Sequence, residues 1–222
     1  MLFSNQVLKY HFNLNPDISL PAGVEWLFPY SMPETQRCMT SFYSRFYHDR
    51  HPRIFILGIN PGRFGGGLTG VPFTDPIRLE KLGIANSFPK KPELSSVFVY
   101  EMIDACGGPE DFYSRFYITS LSPLGLIKDG VNYNYYDDAQ LARIIEPFII
   151  QNINIQIGFG YNPSIAFCLG QGKNFTYLDK LNRTHQWWER ILPLPHPRWI
   201  MQYRLKEKSA FIDAYRKDLL VY

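Results

Sequence analysis

Four short stretches of apolar or alternating residues predict β-strands, at residues 53–59, 115–120, 154–159 and 190–194. Other stretches carry apolar residues at helical spacing. These predicted helices cover about residues 33–47, 93–106, 137–152, a segment that begins at 162, and 203–220. Strands that alternate with helices imply right-handed crossovers and a mainly parallel sheet covered on both faces. The pattern therefore predicts an α/β fold with a four-stranded sheet.

Residues that cap or break helices set several of these boundaries. Gly107-Gly108 ends the second predicted helix, and Asp137-Asp138 caps the third, which contains a predicted kink at Pro147. Asn162 as N-cap and Pro163 at the first helical position predict the start of the fourth. We expect a loop over residues 76–92 and a single domain over 1–222, with residues 1–32 as an arm wrapped on it.

Polar and glycine-rich turns follow all four predicted strands. They read GINPG after the first strand, SLSP after the second, GFGYN after the third and PHPR after the fourth. In sheets of this kind, ligands bind outside the carboxyl ends of the strands. The sequence therefore predicts a binding site at this edge of the sheet.

Composition narrows the class of protein without identifying a ligand. With 45% hydrophobic and 19% charged residues, the chain has the balance of a globular protein, and its net charge of +3 does not by itself indicate nucleic-acid binding. The N-terminus lacks the pattern of a signal peptide, and no apolar stretch is long enough to span a membrane. The three cysteines are too far apart for a typical zinc or iron–sulfur motif. We expect a cytoplasmic protein without a metal or cofactor.

The glycine-rich segment at residues 58–73, GINPGRFGGGLTGVPF, resembles two phosphate-binding motifs only superficially. Gly65, Gly67 and Gly70 have the spacing of a dinucleotide fingerprint, but Val71-Pro72-Phe73 follows where a helix should begin. A P-loop is also excluded, because no Gly-Lys-Ser/Thr sequence follows. The segment therefore predicts a site of another kind.

Three side chains at this edge are candidates for chemistry. Asn60 lies just beyond the first strand, where it forms a plain Asn-Pro turn or orients a water molecule. Phe73 is either a core anchor or a platform for a planar ligand. His196 lies between two prolines that restrict its backbone, which makes it the best candidate for an ionisable or hydrogen-bonding catalyst.

Other polar residues give weaker signals. The free amides around Gly160 form either a phosphate seat at a helix N-terminus or a simple strand-to-helix turn. Asp75 is a second base or, as Pro76 indicates, a turn residue. Ser120 and Ser122 lack the glycine elbow and paired base of a serine hydrolase.

Together these residues resemble the SMUG-type branch of the uracil-DNA glycosylases, the single-strand-selective monofunctional enzymes. The segment 58–73 is similar to that family's first motif, G-M-N-P-G-P-F-G-M-x-x-T-G-V-P-F, and PHPR is similar to the start of its second, H-P-S-P-R. The resemblance extends over about residues 53–204 and implies a three-layer α/β/α sandwich. It also implies a monofunctional hydrolase of base excision repair that removes uracil, and other deaminated bases such as xanthine, from single- or double-stranded DNA.

The resemblance assigns roles to individual residues. Asn60 would position the hydrolytic water, His196 would stabilise negative charge on the departing base, and Phe73 would stack on the extruded base. Ile59, Gly62 and Ser120 would line the base pocket. The implied DNA contacts are Pro61, Ser122, Gly160, Tyr161, Pro197, Arg198 and Trp199.

Two departures from the family pattern affect these expectations. Ser120 stands where the family's H-N-L-C-P-L sequence has an asparagine that reads the uracil edge, and a hydroxyl cannot make the same paired contact. After Pro197 the chain continues Arg198-Trp199-Ile200, so the intercalating wedge is Trp199 or Ile200. The alternatives are a catalytically weak nucleic-acid-binding module with the same fold and, as a third reading, a hydrolase of free nucleosides.

Overall fold

The computed structural model describes residues 1–222 and contains two sheets and ten α-helices. The strands are β1 (Val24–Leu27), β2 (Arg53–Gly58), β3 (Phe116–Ser120), β4 (Gly125–Lys128), β5 (Val131–Tyr133), β6 (Tyr161–Leu169) and β7 (Arg190–Leu194). The helices are α1 (Phe3–Phe12), α2 (Pro33–Phe46), α3 (Gly66–Thr69), α4 (Pro76–Lys81), α5 (Leu94–Ala105), α6 (Pro109–Arg115), α7 (Ala139–Ile157), α8 (Lys173–His185), α9 (Pro197–Tyr203) and α10 (Lys208–Leu220).

The central sheet has four parallel strands in the order β3-β2-β6-β7. One face carries Tyr117, which contacts Phe3 of α1 and bonds Gln156 of α7. The opposite face carries Phe167, whose ring packs on Tyr222 beyond the end of α10. Helices therefore cover both faces, which confirms the predicted three-layer α/β/α fold with a short parallel sheet.

The predicted third strand is wrong. Residues 154–159 belong to the last turns of α7 and the turn that follows, because Ile149, Ile153 and Gln156 lie at helical spacing and are all buried. Pro147 lies inside this helix, which continues through it. The third strand of the sheet is β6, so Asn162 and Pro163 belong to a strand and not to a helix.

Pro163 is accommodated by an irregularity in the strand. Arg53 pairs with Tyr161 and Phe55 with Ala166, so the register between β2 and β6 shifts between these pairs. The extra residues of β6 include Pro163, whose missing N–H costs no ladder hydrogen bond in such a bulge.

The first 32 residues are more ordered than the predicted arm. Phe3 and Val7 of α1 are buried in the core, and β1 forms a second, antiparallel sheet with β4 and β5. Residues 76–92, predicted as a loop, contain α4. The predicted C-terminal helix at 203–220 is divided into a short turn, Leu205–Glu207, and α10, while α9 precedes it. None of the helices is long and apolar enough to cross a membrane. The buried apolar side chains form one contiguous core.

Candidate active site

A cleft of about 570 Å³ opens at the carboxyl edge of the parallel sheet. Its walls are the glycine-rich segment after β2, the ends of β3 and β6, the hairpin β4–β5 and the start of α9. The cleft brings together most of the predicted site residues: Ile59, Asn60, Pro61, Gly62, Phe73, Ser120, His196, Arg198 and Trp199.

Asn60 has a fixed amide orientation within this cleft. Its Nδ2 donates a hydrogen bond of 3.2 Å to the backbone carbonyl of Tyr133. Because a carbonyl can only accept, this bond identifies the nitrogen end of the amide. The Oδ1 atom is buried and has no hydrogen-bond partner within the protein. A buried acceptor without a partner is costly, so this oxygen is suited to hold a water molecule or a ligand donor.

The hairpin β4–β5 supports the loop that carries Asn60. Asn132 accepts a hydrogen bond of 3.1 Å from the backbone amide of Arg63, and the Arg63 side chain bonds the carbonyl of Gly130. Sequence reasoning missed this hairpin, although Asp129-Gly130 is a strong signal for a tight turn. Both residues have positive φ, as a type I′ turn requires.

Phe73 packs against the edge of the core and also lines the cleft. It is only partly buried, and its ring lies against the Gly58 backbone, where an added Cβ would come within 2.9 Å of it. The ring centroid is 6.1 Å from that of His196. Phe73 has a φ of 53°, an unfavourable conformation for a bulky residue, which typically costs about 1–3 kcal/mol. The loop therefore holds this ring in the cleft at some cost to stability.

His196 is held as a neutral hydrogen-bond donor. Its Nδ1 accepts a bond of 3.1 Å from the Arg198 backbone amide, so the ring proton lies on Nε2, which has no partner within the protein. Burial and, to a lesser extent, the nearby positive charge of Arg198 lower the pKa of His196 to about 4. The ring thus offers an N–H group to the cleft without carrying a charge at neutral pH.

Glu93 also lines the cleft, and sequence reasoning missed it. Its carboxyl group lies against the glycine-rich loop, with Oε1 3.0 Å from where a Cβ on Gly62 would be. Neither carboxyl oxygen has a hydrogen-bond partner, and Oε2 is buried. Burial, followed by the negative charge of Asp75, raises the pKa of Glu93 to about 7 against the opposing positive charge of Arg198. No local sequence pattern around Glu93 indicates that its carboxyl group lies in the cleft.

Asp75 is a structural residue and not a second base. It is fully buried, and its Oδ1 caps α4 by accepting from the backbone amide of Arg78. Its Oδ2 accepts from the Arg78 side chain and from the backbone amide of Glu93. Both carboxyl oxygens thus accept hydrogen bonds within the protein, as expected for a turn residue.

Four of the expected DNA contacts lie away from the cleft walls. Ser122 is fully buried and donates to the carbonyl of Leu124, and Pro197 is also buried. Gly160 and Tyr161 lie at the amino end of β6, next to the start of β2 and thus at the opposite edge of the sheet. Because no helix begins there, the predicted phosphate seat does not exist.

The rim of the cleft carries the predicted residues Arg198 and Trp199 together with Tyr203 and Lys173, which sequence reasoning missed. Two exposed aromatic residues of α9, Trp199 and Tyr203, are 41% and 61% accessible. Lys173 at the start of α8 and Arg198 provide positive charge. No group of three or more His, Cys, Asp or Glu side chains is arranged to hold a metal ion. The cleft is therefore lined by amides, aromatic rings and a few ionisable groups.

Substituting Gly67 with alanine should disturb the loop that carries Asn60. An added Cβ would lie 2.8 Å from the Gly62 carbonyl oxygen and would overlap the Leu27 side chain. Since the backbone must then shift, we expect catalysis to fall by roughly 10²-fold, as small misplacements of reacting groups do. Single-turnover rate constants of the wild type and of Gly67→Ala would measure this decrease. The matched control is Gly158→Ala, which has a right-handed helical backbone and lies outside the cleft, so it should leave the rate unchanged; an equal rate for both variants would contradict the prediction.

Comparisons with known proteins agree with this geometry. The model of the uracil DNA glycosylase superfamily matches residues 45–220. The crystal structure of wild-type SMUG2 from Pedobacter heparinus is 43% identical, with a TM-score of 0.96, over 100% of this chain and 98% of that one. No curated protein sequence matches the chain significantly. The similarity confirms the predicted resemblance to SMUG-type enzymes and the predicted enzyme class, a DNA glycosylase. The chain belongs to the uracil DNA glycosylase superfamily.

Proposed function

We propose that this protein hydrolyses the N-glycosidic bond of uracil and of xanthine in DNA. The observation that carries the proposal is the meeting of Asn60, Phe73 and His196 in one cleft at the carboxyl edge of the sheet. Each of the three supplies a different requirement of base excision: a water site, a stacking surface and a donor to the leaving group.

The base must first leave the helical stack to reach the cleft. Flipping costs a few kcal/mol, and least when the base is mispaired or unpaired. Stacking of the base on Phe73 would return about 1–3 kcal/mol of this cost. The ring is already held in place by Gly58 beneath it, so little ordering is needed on binding.

Bond cleavage leaves negative charge on the departing base. The electron pair of the bond between C1′ and the base nitrogen stays with the base, while the sugar gains oxocarbenium character. The Nε2–H of His196 would donate to an oxygen of the base as this charge develops. A preorganised donor aimed at developing charge stabilises the transition state more than the ground state.

Water then completes the reaction at the sugar. A molecule held by the unpartnered Oδ1 of Asn60 would attack C1′, forming the new C–O bond. The proton that the water loses balances the charge on the released base. Asn60 cannot ionise, so it acts by placing the water and not by accepting its proton.

The proposed range of bases follows from Ser120. This residue lines the cleft beside the Phe73 ring and offers one hydroxyl, which cannot make the paired donor–acceptor contact of an amide. A pocket without that contact is less restricted to uracil. This supports xanthine, a larger base with the same type of carbonyl and N–H groups, as a second substrate.

The test is incubation with single- and double-stranded oligonucleotides that carry uracil, xanthine or hypoxanthine, scored for abasic sites. We expect release of uracil and xanthine. Binding of DNA without release of any base would refute the enzymatic proposal and favour the alternative, a binding module that keeps the glycosylase fold.

Ser120→Asn should narrow the range of bases towards uracil. The new amide can contact both a carbonyl and an N–H of uracil, and one added hydrogen bond of about 1 kcal/mol shifts a rate ratio by roughly fivefold. We therefore expect the ratio of kcat/KM for uracil to that for xanthine to rise by about this factor. Ser122→Ala is the matched control, since Ser122 is buried outside the cleft. An unchanged ratio in Ser120→Asn would show that this position does not read the base.

A further inference from the structure

We propose that Glu93 is a further base-binding residue of the cleft, which in its neutral acid form both donates to and accepts from the edge of the extruded base. This inference rests on the proposed function, since it names an additional contact to the same substrate. Neither the glycosylase motifs nor the pattern of the sequence assigns a role to this residue.

The position of Glu93 is fixed by the surrounding loops. Its backbone amide donates to Asp75, which anchors the residue just before α5. Its carboxyl group then extends over Gly62 and Gly65, where any side chain on Gly65 would overlap Oε2. Because these two glycines have no side chains, they leave space for the carboxyl group. Gly62 is two residues after Asn60, so the carboxyl group lies close to the Asn60 loop.

The carboxyl group has no role within the protein. It forms no ion pair and no hydrogen bond through either oxygen, although Oε2 is buried. Polar groups buried without partners are rare in folded proteins, and those that occur at a cleft commonly have a ligand as partner. A contact with substrate accounts for both the burial and the lack of a partner.

The chemistry of a neutral carboxyl group suits the proposed substrates. It presents one O–H donor and one carbonyl acceptor side by side, which complements the adjacent C=O and N–H of uracil or xanthine. The proton can lie on either oxygen, so the group adapts to bases whose edges differ in orientation. Glu93 can thus supply the donor–acceptor pair that Ser120 lacks.

The charged surroundings support the neutral form near pH 7. Burial and the negative charge of Asp75 raise the pKa of Glu93, while Arg198 on α9 opposes them. Arg63, on the glycine-rich loop, is turned towards the carbonyl of Gly130. The remaining titratable groups of the cleft are Tyr136, Lys173, His196 and Tyr203.

The pH dependence of base release tests the proposal. Because the acid form binds the base, kcat/KM for uracil DNA should be constant between about pH 4 and pH 7 and fall by up to tenfold per pH unit above pH 7. Glu93→Gln keeps a donor and an acceptor but cannot ionise, so its rate should stay within about fivefold of the wild type at pH 6 and lose this decline. Glu93→Ala should lower kcat/KM by roughly 10- to 100-fold at pH 6, the effect of one or two lost hydrogen bonds.

Controls separate this inference from the proposed function. Glu101→Gln changes a carboxyl group on α5, the helix that follows Glu93, outside the cleft and should behave as the wild type. If wild type releases uracil but Glu93→Ala and Glu93→Gln match it in rate and pH profile, the inference fails and the proposed function stands. A rate that instead rises with pH through 7, and is abolished in Glu93→Gln, would also overturn the inference, because Glu93 would then act as a base. If wild type releases no base, the proposed function itself fails.

Discussion

Replacing Asn60 with alanine is expected to lower the single-turnover rate of uracil release by roughly 10²- to 10³-fold, the range seen when a preorganised polar group is removed from an active site. The side chain holds the only buried, unpartnered amide oxygen of the cleft. Without it, water has no fixed position from which to attack C1′. DNA affinity should change little, because the rim cations Lys173 and Arg198 remain.

A second variant and a control distinguish the loss of the water site in Asn60→Ala from a disturbance of the structure. Asn60 also bonds the carbonyl of Tyr133, so its loss could loosen the hairpin. Asn60→Asp keeps an acceptor for water but places a negative charge beside that carbonyl, and we expect an intermediate rate. Asn13→Ala, at an exposed asparagine that bonds only Lys9, is the matched control. A rate for Asn60→Ala within tenfold of the wild type would refute the assigned role.

Replacing His196 with alanine should cost a similar factor, roughly 10²- to 10³-fold in the rate of uracil release, because it removes the donor to the departing base. The pH profile gives a second test. Burial lowers the pKa of His196 from 6.5 to about 4, so the neutral ring persists as pH falls well below 6.5. We therefore expect its contribution to be retained down to about pH 4 and to change only below that value.

The pH profile of activity can be compared with the pKa of the His196 ring, measured directly. An NMR titration of His196 should give a midpoint near pH 4, and the activity of Glu93→Gln, which lacks the decline expected above pH 7, should show no step near pH 6.5. His51→Ala removes an exposed histidine outside the cleft and should leave the profile unchanged. A step at pH 6.5 that disappears in His196→Ala would show that the ring titrates normally and does not act as a permanently neutral donor.

The site residues that could be predicted from the sequence are those whose position is determined by the local backbone. Asn60 follows a buried strand and precedes Pro61, and His196 lies between prolines, so short patterns fix both at strand ends. Parallel strands bring such ends to one edge, which is why a fold-level argument was enough to place them together. The same argument failed for Gly160. The alternating residues before it belong to α7, so Gly160 lies before the start of a strand and not after the end of one.

Other parts of the site depend on tertiary structure that no short pattern encodes. Glu93 lies 33 positions after Asn60 in the sequence and reaches the cleft only because Asp75 anchors its backbone. The contact between Asn60 and the carbonyl of Tyr133 joins two separate sheets. Such contacts are made by backbone atoms or by side chains with no periodic neighbours, so periodicity and capping signals cannot reveal them.

The second sheet makes the water site depend on the N-terminal segment. Leu27 of β1 packs against Gly67 and Gly125, and β1 pairs with β4, whose other neighbour β5 carries the carbonyl that orients Asn60. The superfamily match begins only at residue 45. The matched region therefore contains Asn60 and His196, the two proposed catalytic residues, but not β1. A chain cut to that region would keep both motifs, yet it would lose the strand that supports the carbonyl orienting Asn60, and with it a fixed position for the proposed nucleophilic water.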